Sequence, residues 1–422
     1  MTLKISTIEQ WLPPIAALWF FVVINSFIIW NPLAPVLHAF PAVLIVWGTF
    51  LISYRLSPPR YNRFLFLFIF IYFIWILISQ CDGFGEFIKR SSDFIPLLCI
   101  ALWPSDILLK TYKIIRGVFI FYAVGSSIIS VLILLGLNNR IPHIVLPARE
   151  TLHQRIGIVY YLYGVFIALC HPLTGVGSRA CGMLQEPGHF AILLGFIYLI
   201  DRFSGRKMNK WLVICGLLTF SSTFVLIVIF TEIHHLFSWE KLRKVVISLP
   251  FIIVALFVLY SFLPPDIKEQ VEFYAYGRNL EQVVDAYNES SSLTDALDER
   301  ANDFSIANYE KMTPTQYMFG GGYRDLGYAL SDYRGMILDM GVLGMCLAII
   351  AYISIMINTP IKIKIALSFA FFLIIIHRSW MLYQPYIFFQ AYIAVIAYRK
   401  AVNNNNISLK TNEEQAKNSI LQ

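Results

Sequence analysis

The sequence predicts an all-α polytopic membrane protein with about twelve transmembrane helices. Of the 422 residues, 58% are hydrophobic and only 14% are charged, whereas soluble domains carry about 25% charged residues. Apolar runs close to the roughly 20 residues that span a bilayer recur between residues 12 and 398. The short loops between these runs are rich in Lys and Arg, which is typical of the cytoplasmic side of a membrane protein.

The clearest apolar runs each predict one transmembrane helix. Two longer regions, 211–236 and 365–398, are predicted to cross twice, because basic loops flank them and such loops stay inside. Ser221 then marks the tip of the first helix pair, and His377 and Arg378 lie near the outer tip of the second. The single-helix runs are 12–30, 36–54, 64–80, 87–103, 114–137, 188–203, 245–263 and 339–358.

One segment leaves two topologies open. Residues 156–172 are apolar enough to cross the membrane alone, which would make 211–236 a single crossing and place the basic loop 201–210 outside. The distribution of Lys and Arg favours the other interpretation, an interfacial or re-entrant segment. Its tyrosines suit the headgroup level, where amphipathic aromatic rings concentrate.

On this topology the chain divides into four parts, with both termini in the cytoplasm. Residues 1–263 hold helices 1–9 and a periplasmic loop at about 138–187. Residues 264–338 form a large periplasmic segment, which is too long to be a structureless loop and is expected to contain helices. Residues 339–400 hold helices 10–12, and residues 401–422 are expected to be a disordered cytoplasmic tail.

The net charge of +7 combines two compartments of opposite sign. Acidic residues outnumber basic ones in 264–338, and basic residues dominate elsewhere. In a membrane protein the placement of charge sets orientation, so the basic excess does not indicate a nucleic-acid partner. Helix-compatible polar patterns in the acidic segment lie at 266–289 and 295–312.

The stretch 177–191 carries the most informative candidate residues. Arg179, Glu186 and His189 lie at the outer mouth of a helix predicted to begin near Pro187. An arginine fork suits phosphate oxygens, and a carboxylate beside it orients the arginine or accepts a proton. A capped helix with a snorkelling arginine is an equally open interpretation.

A second group of candidates lies in the large outer segment. Arg300 and Arg324 are cations in an acidic background, and Tyr323 and Tyr333 offer rings and hydroxyls for sugar. Consecutive glycines at 320–322 would let backbone amides approach an anion. The alternative is a solvated, charged extramembrane domain without a binding role.

His377, at the outer tip of the last helix pair, is a candidate base because its free pKa is near neutrality. An interfacial histidine beside a topology-setting Arg378 explains the same position. No metal-binding motif or paired redox cysteines stand in the sequence. The chemistry expected is therefore free of metal and cofactor, with arginines that stabilise a phosphate leaving group.

Three local patterns occur in the order found in one family. The pattern R-x-x-G-x-x-x-E-P-G spans 179–188, LTFSST follows at 218–223, and Arg300 precedes a glycine turn and the G-x-x-G of Gly341 and Gly344. With its predicted topology, the chain resembles the superfamily of O-antigen polymerases (Wzy) and O-antigen ligases. Ligases of this family carry a histidine soon after the glycine turn. This chain has Asp332 near that place, which favours a polymerase.

The resemblance implies a GT-C-like glycosyltransferase of the bacterial inner membrane, with an active site that faces the periplasm. It would polymerise repeat units linked to undecaprenyl diphosphate, which serve as both donor and acceptor, into lipopolysaccharide or a related surface polysaccharide. A chain-length regulator would be a further partner. A flippase for lipid-linked oligosaccharide is the alternative, and it predicts intramembrane charges around a cavity.

The resemblance also implies roles for the candidate residues named above, all expected near the outer helix ends. They are Glu186, Asp332 and His377 for catalysis, Arg179, Arg300 and Arg324 for diphosphate binding, and His189, Tyr323 and Tyr333 for sugar binding.

Overall fold

A computed structural model of the chain describes a largely helical protein. All structural statements below concern the described residues. These are 5–24, 33–56, 62–81, 83–135, 137, 140–147, 159–170, 178–184, 186–207, 209–219, 221–236, 261, 268, 303–321 and 332–420.

The helices begin and end close to the predicted apolar runs, and proline fixes the start of several. Pro187 and Pro385 are the first residues of their helices, where a proline loses no hydrogen bond. The α-helices are α1 Ile5–Ile24, α2 Ala34–Leu51, α3 Asn62–Gln80, α4 Phe84–Ala101, α5 Ser105–Leu134, α6 Pro187–Phe203, α7 Lys210–Leu217, α8 Ser222–Leu236, α9 Asp303–Glu310, α10 Pro314–Phe319, α11 Tyr333–Met356, α12 Ile361–His377 and α13 Pro385–Ile420, and 3₁₀-helices span Ser53–Arg55 and Ser379–Tyr383.

Three of the described helices are long and apolar enough to cross a membrane: Ala34–Leu51, Ser105–Ile133 and Tyr333–Met356. Three further apolar stretches are shorter than these helices. A helix of fewer than about 17 residues does not span the hydrocarbon core unaided. The helical content and these apolar helices fit the predicted all-α membrane protein. The shorter stretches are Ile8–Ile24, Phe64–Ser79 and Ser222–Ile233.

Helix α6 is the central helix of the bundle. Every residue of Pro187–Phe203 is buried except Arg202, which is half-buried. A helix that is apolar all round is one that other helices enclose, and α6 packs against α8 and α13. A Cβ on Gly195 would lie 2.8 Å from Ile227 of α8, so glycine lets these two helices approach closely.

A four-stranded antiparallel sheet, in the order β1-β2-β3-β4, precedes α6. Strand β2 (Val159–Tyr163) and β3 (Phe166–Cys170) form a hairpin in which Tyr163 pairs with Phe166. The outer strands are β1 (Ile144–Pro147) and β4 (Ser178–Ala180). The sheet lies against α5, where the ring of Phe166 covers Gly125.

This hairpin excludes one of the two interpretations of 156–172. The segment is not a single transmembrane helix, because 159–163 and 166–170 are strands. Its interfacial or re-entrant placement stays a prediction. Aromatic and β-branched residues favour strands, and Gly164 has φ +63°, the left-handed backbone that a two-residue hairpin loop requires. The sheet is thus an addition to the predicted all-α fold.

The region 211–236 forms two helices, α7 and α8, as predicted, with the break between Leu217 and Ser222. The amide of Ala180 in β4 donates to the Leu218 carbonyl at 3.3 Å. Beyond the break, Glu232 of α8 binds Arg202 at the end of α6, with 2.5 Å between Oε1 and Nε. The end of α8 therefore returns to the same end of the bundle as the end of α6.

Helix α11 bends at Gly341, whose backbone is left-handed at φ +70°. The glycine turn packs there: Gly321 N–H donates to the Leu338 carbonyl at 2.8 Å, and a Cβ on Gly320 would overlap the Asp339 carbonyl. Trp75 Nε1 donates to the Met340 carbonyl at 3.1 Å. Gly320 and Gly341 therefore allow the backbone before the glycine turn to contact the backbone of α11 at its bend.

The tail differs from its prediction, because α13 continues through 401–420 as helix. Glu, Gln, Ala and Lys follow the asparagine run there, and these residues favour helix. In 264–338, α9 falls within the predicted helix 295–312. The predicted helices at 245–263 and 266–289 lie outside the described residues apart from isolated positions.

Candidate functional site

An ion pair between Glu186 and Arg378 joins two of the helix ends that are predicted to lie on the outer side. Glu186 is the N-cap residue of α6, and its side chain makes no capping hydrogen bond. Arg378 follows the last residue of α12, and its Nη1 donates to Glu186 Oε2. The two side chains are 26% and 25% exposed, so a ligand can reach both.

The arginine lies across the first turn of α6. A Cβ on Gly188 would stand 2.5 Å from Arg378 Nη2 and 2.9 Å from its Nε. Glycine leaves room for the guanidinium where it lies, and a larger residue would require the arginine side chain to shift. The E-P-G sequence of 186–188 thus supplies the carboxylate, the helix start and the space for the cation.

His189 lies beneath this ion pair and is 3% exposed. Its Nε2 is 2.8 Å from the Tyr386 hydroxyl. The imidazole stacks on the Tyr386 ring at 5.6 Å between centroids and meets the Trp380 ring edge-on at 5.0 Å. We call Glu186, His189, Arg378, Trp380 and Tyr386 the α6–α13 cluster.

Arg179, a predicted diphosphate ligand, lies in β4 and is 8% exposed. Its Nε donates to the Thr219 carbonyl at 2.9 Å, at the break between α7 and α8. Thr219 in turn donates its hydroxyl to the Gly216 carbonyl at 2.6 Å. Arg179 therefore joins the sheet to the α7–α8 break.

Asp332 caps the start of α11. Its Oδ1 accepts from the Arg334 backbone N–H at 2.8 Å, and its Oδ2 accepts from Arg334 Nη2 at 2.8 Å. Both side chains are buried, so the carboxylate is already occupied by a cation and a helix start. The geometry favours a structural role for Asp332 over that of a general base; Tyr333, beside it, is half-buried.

His377 is the last residue of α12, directly before Arg378, and is half-buried. The structure thus brings Glu186 and His189 together with Arg378, which is the sequence neighbour of His377. Arg300, Tyr323 and Arg324 lie outside the described residues.

The structure adds a buried pair that the sequence patterns do not single out: His38 in α2 and Asp93 in α4. Nδ1 of His38 is 2.5 Å from Oδ1 of Asp93, and both side chains are at most 3% exposed. His38 Nε2 has no hydrogen-bond partner among the described residues. The signal was present, since both residues stand inside apolar runs, where ionisable side chains are costly and often functional.

Arg378, Trp380 and Tyr386 carry no distinctive signal in the sequence that would mark them as site residues. The position of Arg378 is explained by topology alone, and the aromatic residues are inconspicuous in a chain with 16% aromatic residues. No group of three or more His, Cys, Asp or Glu able to hold a metal ion occurs in the described part of the chain.

Comparison of the chain with protein-family models, curated proteins and solved structures finds no match.

Proposed function

We propose that this chain is a bacterial inner-membrane glycosyltransferase that polymerises undecaprenyl-diphosphate-linked repeat units into O-antigen or a related surface polysaccharide. The observation that carries the proposal is the Glu186–Arg378 pair. It places a carboxylate and a guanidinium together, each about one quarter exposed, at the start of the most buried helix. The reaction requires both groups, a base for the acceptor hydroxyl and a cation for the leaving group.

In the proposed reaction, the acceptor hydroxyl oxygen attacks the anomeric carbon of the donor sugar. The bond between that carbon and the diphosphate oxygen breaks, and the hydroxyl proton passes to Glu186. Undecaprenyl diphosphate departs with its added negative charge facing Arg378. Because a diphosphate binds the arginine in competition with the carboxylate, donor binding frees Glu186 to act as the base. Arg179, Arg300 and Arg324 remain candidate additional diphosphate ligands.

The proposal includes the predicted topology of about twelve crossings with both termini in the cytoplasm. The ion pair between Arg202 and Glu232 supports an even number of crossings in 211–236, because it brings the ends of α6 and α8 together. Lys110, Lys113 and Arg206, from two predicted cytoplasmic loops, line one cavity at this end of α6. The α6–α13 cluster is at the other end of α6, which is the proposed periplasmic end.

Deletion of the gene tests the function. We expect the ladder of long surface polysaccharide to collapse to a single repeat unit on a gel. Restoration of the ladder by a plasmid copy is the control. A ligase would instead leave long chains on the lipid carrier, and an unchanged ladder would refute both activities.

One observation favours a second candidate, a flippase for the same lipid-linked units. The pair of His38 and Asp93 is an ionisable pair buried inside the bundle, as expected of a transport pathway. Loss of a flippase would retain the repeat units on the cytoplasmic leaflet. Accessibility of those units to a periplasmic probe in the deletion strain separates the two functions.

A further inference from the structure

A cavity of about 340 Å³ opens at the end of the bundle opposite the α6–α13 cluster. It is lined by Lys110 and Lys113 of α5, Arg206 after α6 and Lys400 of α13, with Asp106 as the acidic residue in its lining. The volume lies in the lower range of cavities that bind small ligands.

The positive charge is brought together by folding, because these cations come from three elements far apart in sequence. Lys110 and Lys113 are three residues apart, so they project from one face of α5. Like charges at short range repel each other. A lining with four cations against the one carboxylate of Asp106 is therefore most favourable when a further anion occupies the cavity.

Arg206 is held in place by a buried carboxylate. Asp201 is 2% exposed, and its Oδ1 accepts from Arg206 Nη1 at 2.8 Å and from the Tyr112 hydroxyl at 2.9 Å. Its Oδ2 accepts from Arg116 Nε at 2.6 Å. Since Arg116 balances the charge of Asp201, this carboxylate does not cancel the lysines. The Arg206 guanidinium also lies 5.9 Å from the centre of the Tyr112 ring.

Apolar residues complete the cavity wall. Leu109, Ala397 and Ala401 face the same space as the lysines. A lining with apolar and cationic parts suits a ligand that carries a phosphate on a partly apolar body. The lysines are exposed, so the cavity can be entered from the end of the bundle.

We infer that this cavity binds a phosphate-bearing anion, and that its source is the headgroup of an anionic phospholipid in the leaflet predicted to be cytoplasmic. Cationic pockets between helices on that side of a membrane protein suit phospholipid headgroups. The inference does not depend on the proposed polymerase activity, because the cavity lies at the other end of α6.

Lipid binding to the purified full-length protein tests the inference. Native mass spectrometry in a neutral detergent would compare phosphatidylglycerol with phosphatidylcholine, and a second titration would use inorganic phosphate alone. The variant K110Q/K113Q removes two charges from the cavity. K362Q/K364Q removes two charges from the start of α12, also predicted to face the cytoplasm, and is the matched control.

We expect K110Q/K113Q to weaken phosphatidylglycerol binding about tenfold or more, since each lysine near a headgroup contributes about fivefold. The control should stay within about twofold of wild type, because Lys362 and Lys364 do not line the cavity. If inorganic phosphate displaces phosphatidylglycerol at equal concentration, the result would support an anion site in this cavity, but its ligand would be a soluble phosphate in place of the lipid. Equal affinity for the two lipids without phosphate binding, or equal loss in both variants, would overturn the inference.

Discussion

Glu186 and Arg378 form an ion pair whose charges remain partly in contact with solvent. Pairs at this exposure contribute little to stability, about 0–1 kcal/mol. Their contribution to catalysis can be much larger, because a charge that develops in the transition state is stabilised only by groups already in place. Substitution of either residue should therefore change activity far more than folding.

We expect E186Q to slow repeat-unit elongation about 100-fold, since removal of a general base costs 10²–10⁴-fold. R378Q should have an effect of similar size because it removes the leaving-group cation. The double variant should be little worse than the slower single variant, because the two residues act as one unit. Elongation rates in membranes with equal protein content provide the measurement.

The matched control for this cycle is the ion pair between Glu9 and Arg55, with 2.6 Å between Oε1 and Nη1. It has comparable exposure but lies outside the α6–α13 cluster. E9Q and R55Q should leave elongation at the wild-type rate. Wild-type elongation by E186Q and R378Q, at normal protein level, would eliminate the cluster as the active site.

For the buried pair of His38 and Asp93, we expect substitutions to change stability. H38L or D93L should each destabilise the protein by about 3–5 kcal/mol, because each leaves one buried polar or charged partner alone. H38L/D93L should recover most of that loss, since apolar side chains can replace a buried pair. Thermal unfolding in detergent measures the three values.

A double variant as unstable as either single variant would contradict this account of the pair. If the double variant is stable but no longer supports polysaccharide export, the pair has a transport role, and the flippase becomes the favoured function.

At the scale of elements, glycines determine how helices meet. Gly341 has a left-handed backbone, and a Cβ there would overlap the Met318 carbonyl. We expect G341A to lower stability by about 2–4 kcal/mol, from the backbone conformation and the steric overlap together. The melting temperature of the purified protein should fall by several degrees.

G117A is the control for this substitution. Gly117 lies in α5, and a Cβ there has open space around it. Because alanine favours helix over glycine by up to about 1 kcal/mol, G117A should melt at or above the wild-type temperature. Equal melting temperatures for G341A and wild type would show that the bend in α11 is not required.

Hydropathy alone predicts most of the described helices, because an apolar run of the right length has few other stable conformations in a membrane. The break between α7 and α8 followed from charge. Neither hydropathy nor charge predicted the hairpin at 159–170, because a short apolar run can be strand or helix. Gly164 decides in favour of the hairpin, and its turn conformation is visible only in the structure.

At the scale of the whole molecule, charge separates the two ends of the bundle. The cationic cavity lies at one end of α6 and the Glu186–Arg378 pair at the other. The sequence placed Glu186 and His377 together at outer helix ends, yet it did not identify Arg378 as the partner of Glu186. The two residues are 192 positions apart, and one sequence does not specify which helix ends are adjacent.

The most direct test of the central claim is reconstitution of purified protein in liposomes with lipid-linked repeat units. We predict that the wild-type chain joins the units into longer oligosaccharides and releases undecaprenyl diphosphate, whereas R378Q does so at a rate about 100-fold lower. Absence of elongation by the wild-type chain, under conditions in which membranes from the same cells elongate the units, would contradict the proposed function.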